Sequence, residues 1–279
     1  MLGRLYKHEM KASGHYFVPI YIGVALASLL FAIVWGINMV WDNSIFSSIT
    51  VPFAILLFIG IIAAIYIGTE IVNIVRFYKT MVSEEGYLTH TLPVTVNQLL
   101  LSKGFAATTY YLIAAVAMAA VVGLFIVVTL VATGAVYTTE WETAMNAFGE
   151  VMQEMKVHGF SVAAYTIEVV LAIFVGAISK LFLVYLAIAI GQCMKSHKAL
   201  WSVGFYLCIN IVVGLVSQVI ATVVMIGFGL NSTYDVWIEN HIGTYMHVTM
   251  WGGILMSLIT LIVSYFLVRY IFQKKLNLE

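Results

Sequence analysis

The chain has 279 residues, 62% of them hydrophobic and 9% charged, with a formal net charge of zero. A soluble domain carries about a quarter charged residues, so too little polar surface exists here to coat a water-soluble globule, and the composition defines a membrane class. Zero net charge implies no nucleic-acid partner and no acidic one.

In chain order, the segment from Leu2 to Ser13 comes first, with Leu2, Leu5, Tyr6 and Met10 set among Arg4, Lys7 and Lys11. This pattern suits either an amphipathic helix lying in the membrane interface or a merely basic flank. The first apolar run, from about Phe17 to Val40, exceeds the ~7–15 residues of a cleaved signal core. No small-residue cleavage pattern follows it, and it is read as a retained span. A helix crossing a bilayer needs about 20 mostly apolar residues. Five further segments meet that test, at about Ser48 to Ile74, Gly104 to Ala132, Ala163 to Cys193, Leu200 to Phe228 and Val248 to Phe272. Pro52 inside the second does not argue against a helix, because membrane helices tolerate it. The expected fold is all-α: a polytopic integral membrane protein with six transmembrane helices in a single domain over residues 1–279, binding membrane lipid.

The basic residues orient this arrangement. Arg4, Lys7, Lys11, Arg76, Lys79, Lys103, Lys195, Lys198, Arg269, Lys274 and Lys275 fall on one side of a six-span chain. Lys156 falls on the other side and Lys180 inside a span. Both termini are therefore expected in the cytoplasm. Asp42, Glu140, Glu142, Glu150, Glu154, Asp235 and Glu239 lie on the outer side, which is consistent but of little topological weight.

The longest outer loop runs from about Thr133 to Ser161. Thr139 and Glu142 read as a capping box, and Trp141, Met145, Phe148, Met152 and Met155 recur at helical spacing. An outer amphipathic helix is expected, ended by Gly159, resting on the membrane or on the span ends. Cys193 and Cys208 lie in apolar stretches with no zinc or redox spacing, and read as buried small hydrophobes.

Between the second and third spans the sequence is punctuated by helix signals. Ser83 is a good N-cap, followed by Glu84 and Glu85 where negative charge suits a helix N-terminus. Pro93 breaks that helix, and Thr95 with Gln98 forms a second capping box opening the helix into the third span. A short helix parallel to the membrane and facing the cytoplasm follows. It is too short to be stable alone and needs a surface to dock on. The run Glu84-Glu85-Gly86-Tyr87-Leu88, then Thr91-Leu92-Pro93-Val94, then Gln98-Leu99-Leu100 and Ser102-Lys103, resembles the coupling-helix segment of ABC-2-type transporter permeases, above all the compact permease subunits of Gram-positive bacteria. Ile190-Gly191-Gln192 with the His197-Lys198 turn, and the tail Lys274-Lys275-Leu276-Asn277-Leu278, are similar to the same family. The specific part of the likeness covers the inter-span segment; the rest is span count and topology.

The resemblance implies a permease half of an ATP-driven exporter in a bacterial plasma membrane. A separate cytoplasmic ABC ATPase subunit would bind ATP and magnesium and receive the coupling helix. A second permease, identical or related, would complete the pathway. Gly86 would allow close backbone approach, Glu84 and Glu85 would meet basic groups of the ATPase, and Tyr87 and Leu88 would fill an apolar notch. No Gly-x-x-x-x-Gly-Lys-Ser/Thr phosphate loop occurs, so the expectation is a chain that is not itself an enzyme and holds no cofactor.

Charges inside a span invite a functional reading. Glu168 lies near the outer end of the fourth span and Lys180 near its middle; about 18 Å of helix separates them, too far to pair. Lys180 either snorkels, faces a polar pathway or pairs across a dimer. Glu70, at the cytoplasmic end of the second span, is expected to pair with Arg76 or Lys103. Gly60, Ala64 and Gly68 form a small-residue face, either an intrachain seam or a dimer contact. Three other functions compete. A membrane scaffold or sensor partner needs no transport chemistry. An ion-driven secondary transporter would show broken helices in matched halves. An intramembrane hydrolase would need an Arg shortly after Glu84-Glu85 and His residues within other spans, whereas His90, His158, His197, His241 and His247 lie in loops or at span ends.

Overall fold

In hydrocarbon every backbone N–H and C=O must find an internal partner, so long apolar runs fold as helices. The computed structural model describes residues 2–40, 44–83, 86, 94–133, 139–157, 161–229 and 234–274. Among the described residues the regular structure is helical: α1 (Leu2–Val40), α2 (Ser44–Met81), α3 (Val96–Thr133), α4 (Thr139–Val157), α5 (Val162–Gln192), α6 (Lys198–Gly229) and α7 (Tyr234–Lys274). All except α4 are long and apolar enough to cross a membrane, and each expected span falls on one of them. The α4 helix occupies the stretch where the Met and aromatic stripe was read.

Several helices outrun their apolar windows. The α3 helix begins at Val96 rather than Gly104, α2 continues to Met81 rather than Ile74, and α7 begins at Tyr234 rather than Val248. At 1.5 Å per residue the 39-residue α1 is about 58 Å long, well beyond a hydrocarbon core of about 30 Å. The start of α3 shows how a polar end is held. Thr95 N–H donates to Gln98 Oε1 at 3.3 Å and Gln98 N–H to Thr95 Oγ1 at 3.4 Å, the expected reciprocal box. Ser161 caps α5 in the same manner, its hydroxyl accepting from Ala164 N–H at 3.4 Å.

One expectation is corrected. The Leu2–Ser13 segment is not a separate interfacial helix but the opening turns of a continuous α1. Tertiary contacts hold it in line. Ser13 and Phe17 are buried, Phe17 stacks on Tyr110 with ring centroids 3.8 Å apart, and Tyr110 Oη donates to the Met10 carbonyl at 2.8 Å.

The chain forms two compact units, Met1–Lys79 with Leu101–Asn146, and Thr80–Leu100 with Ala147–Glu279. In the first, Val24, Phe31, Ala54, Ile61, Ile65, Ala114 and Val121 make the core of α1, α2 and α3. Phe31, Trp35, Phe58 and Phe125 cluster beside it with centroids 5.2–6.0 Å apart, and Trp35 Nε1–H donates to Thr129 Oγ1 at 2.8 Å. The small-residue face on α2 is partly an intrachain seam: a methyl on Gly68 would lie 3.5 Å from Ile20 of α1, whereas Gly60 faces open space.

In the second unit α5 packs on both α6 and α7. Its residues Leu181–Ala189 are buried without a break. Near its end Gly191 abuts α6 so closely that a Cβ there would clash with Ser202 Oγ and sit 2.8 Å from Ser202 N and Cα. This contact gives the Ile190-Gly191-Gln192 sequence a packing reason. The helix closes with Cys193 N–H on the Ile190 carbonyl at 3.0 Å and Met194 N–H on that of Gly191 at 3.2 Å. His197 then takes a left-handed φ of 51° before α6 starts. Cys193 and Cys208 are free and lie at the surface of the chain, not in its interior.

Candidate functional site

The inter-span segment is the first place to look. Glu84, Glu85, Tyr87 and Leu88 lie outside the described residues. Gly86 is buried, and its N–H donates to the Ser83 carbonyl at 2.6 Å. A Cβ on Gly86 would stand 2.9 Å from both the carbonyl carbon and oxygen of Met81. Only a glycine accepts that approach without a backbone shift, so the turn leaving α2 is tight.

A charged and hydroxylated layer ties the α1 and α3 openings to the end of α2. Glu9 receives Arg76 Nη2 at 3.0 Å and Lys103 Nζ at 2.6 Å. The Lys103 side chain is 4% exposed and that of Glu9 16%, so these charges are largely withdrawn from water and both cations meet the same carboxylate. Tyr6 Oη and Thr109 Oγ1 meet at 2.9 Å, and Tyr111 Oη donates to Glu70 at 2.8 Å. Both cations expected to serve Glu70 thus meet Glu9, a residue the sequence reading passed over. Glu9 sits between basic neighbours and looks like surface decoration; its partners lie 67 and 94 positions away. An acid alone among cations in the opening turns of a long apolar helix is the signal that marks it.

In the second unit Glu168 is buried on α5 and held from α7. Trp251 Nε1–H donates to Oε1 at 2.9 Å, and His247 Nδ1 lies 2.7 Å from Oε2. Tyr165 sets its ring edge-on to His247. Both carboxylate oxygens therefore have partners, which is what an acid inside an apolar helix requires. Lys180 is half-buried on the same helix, between the buried Ser179 and Leu181. His247 and Trp251 were missed as a pair. They are four apart on one face of α7, and that spacing opposite an intramembrane acid is the available clue.

Among the described residues no group of three or more His, Cys, Asp and Glu side chains is placed to hold a metal. No family model, no curated protein and no solved structure matches this chain.

Proposed function

We propose that this chain is the membrane-spanning permease half of an ATP-driven ABC-type exporter, with both termini in the cytoplasm of a bacterial plasma membrane. The reading rests chiefly on the segment between α2 and α3, where the resemblance to ABC-2 permeases is most specific. Two local features support it. Gly86 sits where only a glycine fits, and the Thr95–Gln98 box restarts the chain as α3 two residues after Pro93. In this reading the segment between α2 and α3 acts as a lever that receives a push from a partner and passes it to α2 and α3.

In this mechanism a separate ATPase binds ATP and magnesium, and its closure is transmitted to the spans. Glu84 and Glu85 engage basic groups of that subunit, while Tyr87 and Leu88 enter an apolar notch. The Glu9–Arg76–Lys103 layer joins α1, α2 and α3. A second permease, identical or related, supplies the other half. The bare α6, in which Ser202 alone is buried among the described residues, leaves surface for it. Glu168 and Lys180 are the intramembrane groups available to a polar pathway. The competing readings, a scaffold or sensor partner and an ion-driven transporter, lack a use for the lever.

The test is charge reversal. Glu84→Lys with Glu85→Lys is expected to release a co-expressed ATPase subunit while the permease keeps its elution profile and thermal stability. Undiminished co-purification of that ATPase with the double variant would refute the coupling role.

A further inference from the structure

Two cavities in the crease between α1 and α2 have complementary chemistry. The first, of about 510 Å³, is lined by His8, Lys11, Ala12, His15 and Tyr16 of α1 and by Arg76 of α2. The second, of about 740 Å³, is apolar. Its α1 wall includes Pro19, Ile20, Gly23 and Ala27, and its α2 wall includes Gly60, Ala64 and Gly68. Helical register stacks them, because Ala12, Tyr16, Pro19, Gly23 and Ala27 descend one face of α1 at steps of three and four. From Tyr16 to Ala27 the helix rises about 16 Å, one leaflet of a hydrocarbon core of about 30 Å.

We propose that this crease is a binding site for one anionic phospholipid, its phosphate in the upper recess and an acyl chain in the groove below. Charge favours an anion. Among the described residues that line the recess, Arg76 and Lys11 are cations and none is an acid. His8 and His15 bring ring N–H donors on the same face. Basic recesses between membrane helices recognise lipid headgroups in this manner.

The groove selects a lipid over a free anion. It has no polar group to offer, and a methyl placed on Gly23 or Gly60 would meet nothing within 4 Å. Small residues thus open a lane wide enough for a flexible chain. A soluble phosphate would use the recess and leave the lane empty.

The test is native mass spectrometry of the full chain in detergent, titrated with dioleoylphosphatidylglycerol or with dioleoylphosphatidylcholine. One phosphatidylglycerol per chain is expected to be retained in preference to phosphatidylcholine. Lys11→Gln should weaken it about fivefold, Lys11→Arg should restore it, and Lys198→Gln should leave it unchanged. Gly60→Leu should fill the lane and weaken both lipids without altering the oligomeric state.

Four results would overturn the proposal. Equal retention of the two lipids removes the anion recess. Displacement of phosphatidylglycerol by glycerol 3-phosphate reduces the site to a free-phosphate pocket. An effect of Lys198→Gln equal to that of Lys11→Gln reduces it to general charge. A change of oligomeric state in Gly60→Leu with lipid retention intact assigns the groove to a protein helix.

Discussion

Glu9→Gln perturbs a carboxylate that two cations share. The substitution keeps the shape of the side chain and removes its charge. Arg76 and Lys103 then lose the carboxylate they share, at a site where the Lys103 side chain is 4% exposed. Each ion pair is worth about 4 kcal/mol at 4 Å separation and an effective dielectric of about 20, but much of that repays desolvation, so the gross figures do not add. Breaking a buried ion group by removing one partner costs about 3–5 kcal/mol, and that is the expected loss for Glu9→Gln. Lys103→Met should cost less than half as much, because Glu9 keeps Arg76 and the apolar stem is preserved. The double variant should be more stable than the sum of the two losses predicts, since residues in one network are not additive. Unfolding titrations of the purified chain in mixed micelles measure all four corners of the cycle. A Glu9→Gln variant within about 0.5 kcal/mol of wild type, or a strictly additive double variant, would refute the claim that Glu9 is the shared counter-ion.

Gly191→Ala is expected to destabilise by about 1–3 kcal/mol through overpacking against Ser202, and Ser202→Ala should not rescue it fully because Ser202 N and Cα remain 2.8 Å away. Gly176→Ala on the same helix meets nothing within 4 Å and should be neutral or stabilising by up to about 1 kcal/mol; the same sign for both in thermal unfolding would contradict the packing account. At the α5–α7 contact, Glu168→Ala orphans the Trp251 indole N–H and the His247 ring nitrogen and should cost about 1–3 kcal/mol for each. Glu168→Gln should be milder, because its carbonyl still accepts from Trp251 and its amide can donate to His247 after a tautomer change. Equal losses from the two substitutions in chemical unfolding would show that the pairing contributes little.

Much of the fold was legible from composition and punctuation. Apolar runs of bilayer length identified the helices that can cross a membrane. The Thr95–Gln98 box was readable because capping depends on residues three apart, and the structure shows it closed. The long amphipathic stretch at Thr139–Val157 was readable for the same local reason. Hydropathy could not set helix ends, since polar residues continue α7 back to Tyr234 once the backbone is already helical. The N-terminal segment looked separable by composition, yet its alignment with α1 is decided by Tyr110 and by Glu9, through contacts that only folding creates.

The candidate site divides along the same line. Glu168, Lys180 and Glu70 were recognisable as charges in apolar surroundings. Their partners were not, because Glu168 meets His247 across 79 positions, Glu70 accepts from Tyr111 across 41, and Arg76 and Lys103 both meet Glu9. Gly86 could be singled out by its motif, while the physical reason for glycine there, the nearby Met81 carbonyl, is visible only in three dimensions.

The central claim is that ATP hydrolysis by a partner drives this membrane chain through residues 84–93. ATP hydrolysis assayed on the affinity-tagged full chain, purified with its co-expressed ATPase subunit, tests it most directly. The account predicts vanadate-sensitive hydrolysis that co-elutes with the wild-type chain and is lost from Glu84→Lys with Glu85→Lys, while the variant chain itself elutes unchanged. Equal hydrolysis on both, or transport driven by an ion gradient with no ATPase present, would contradict it.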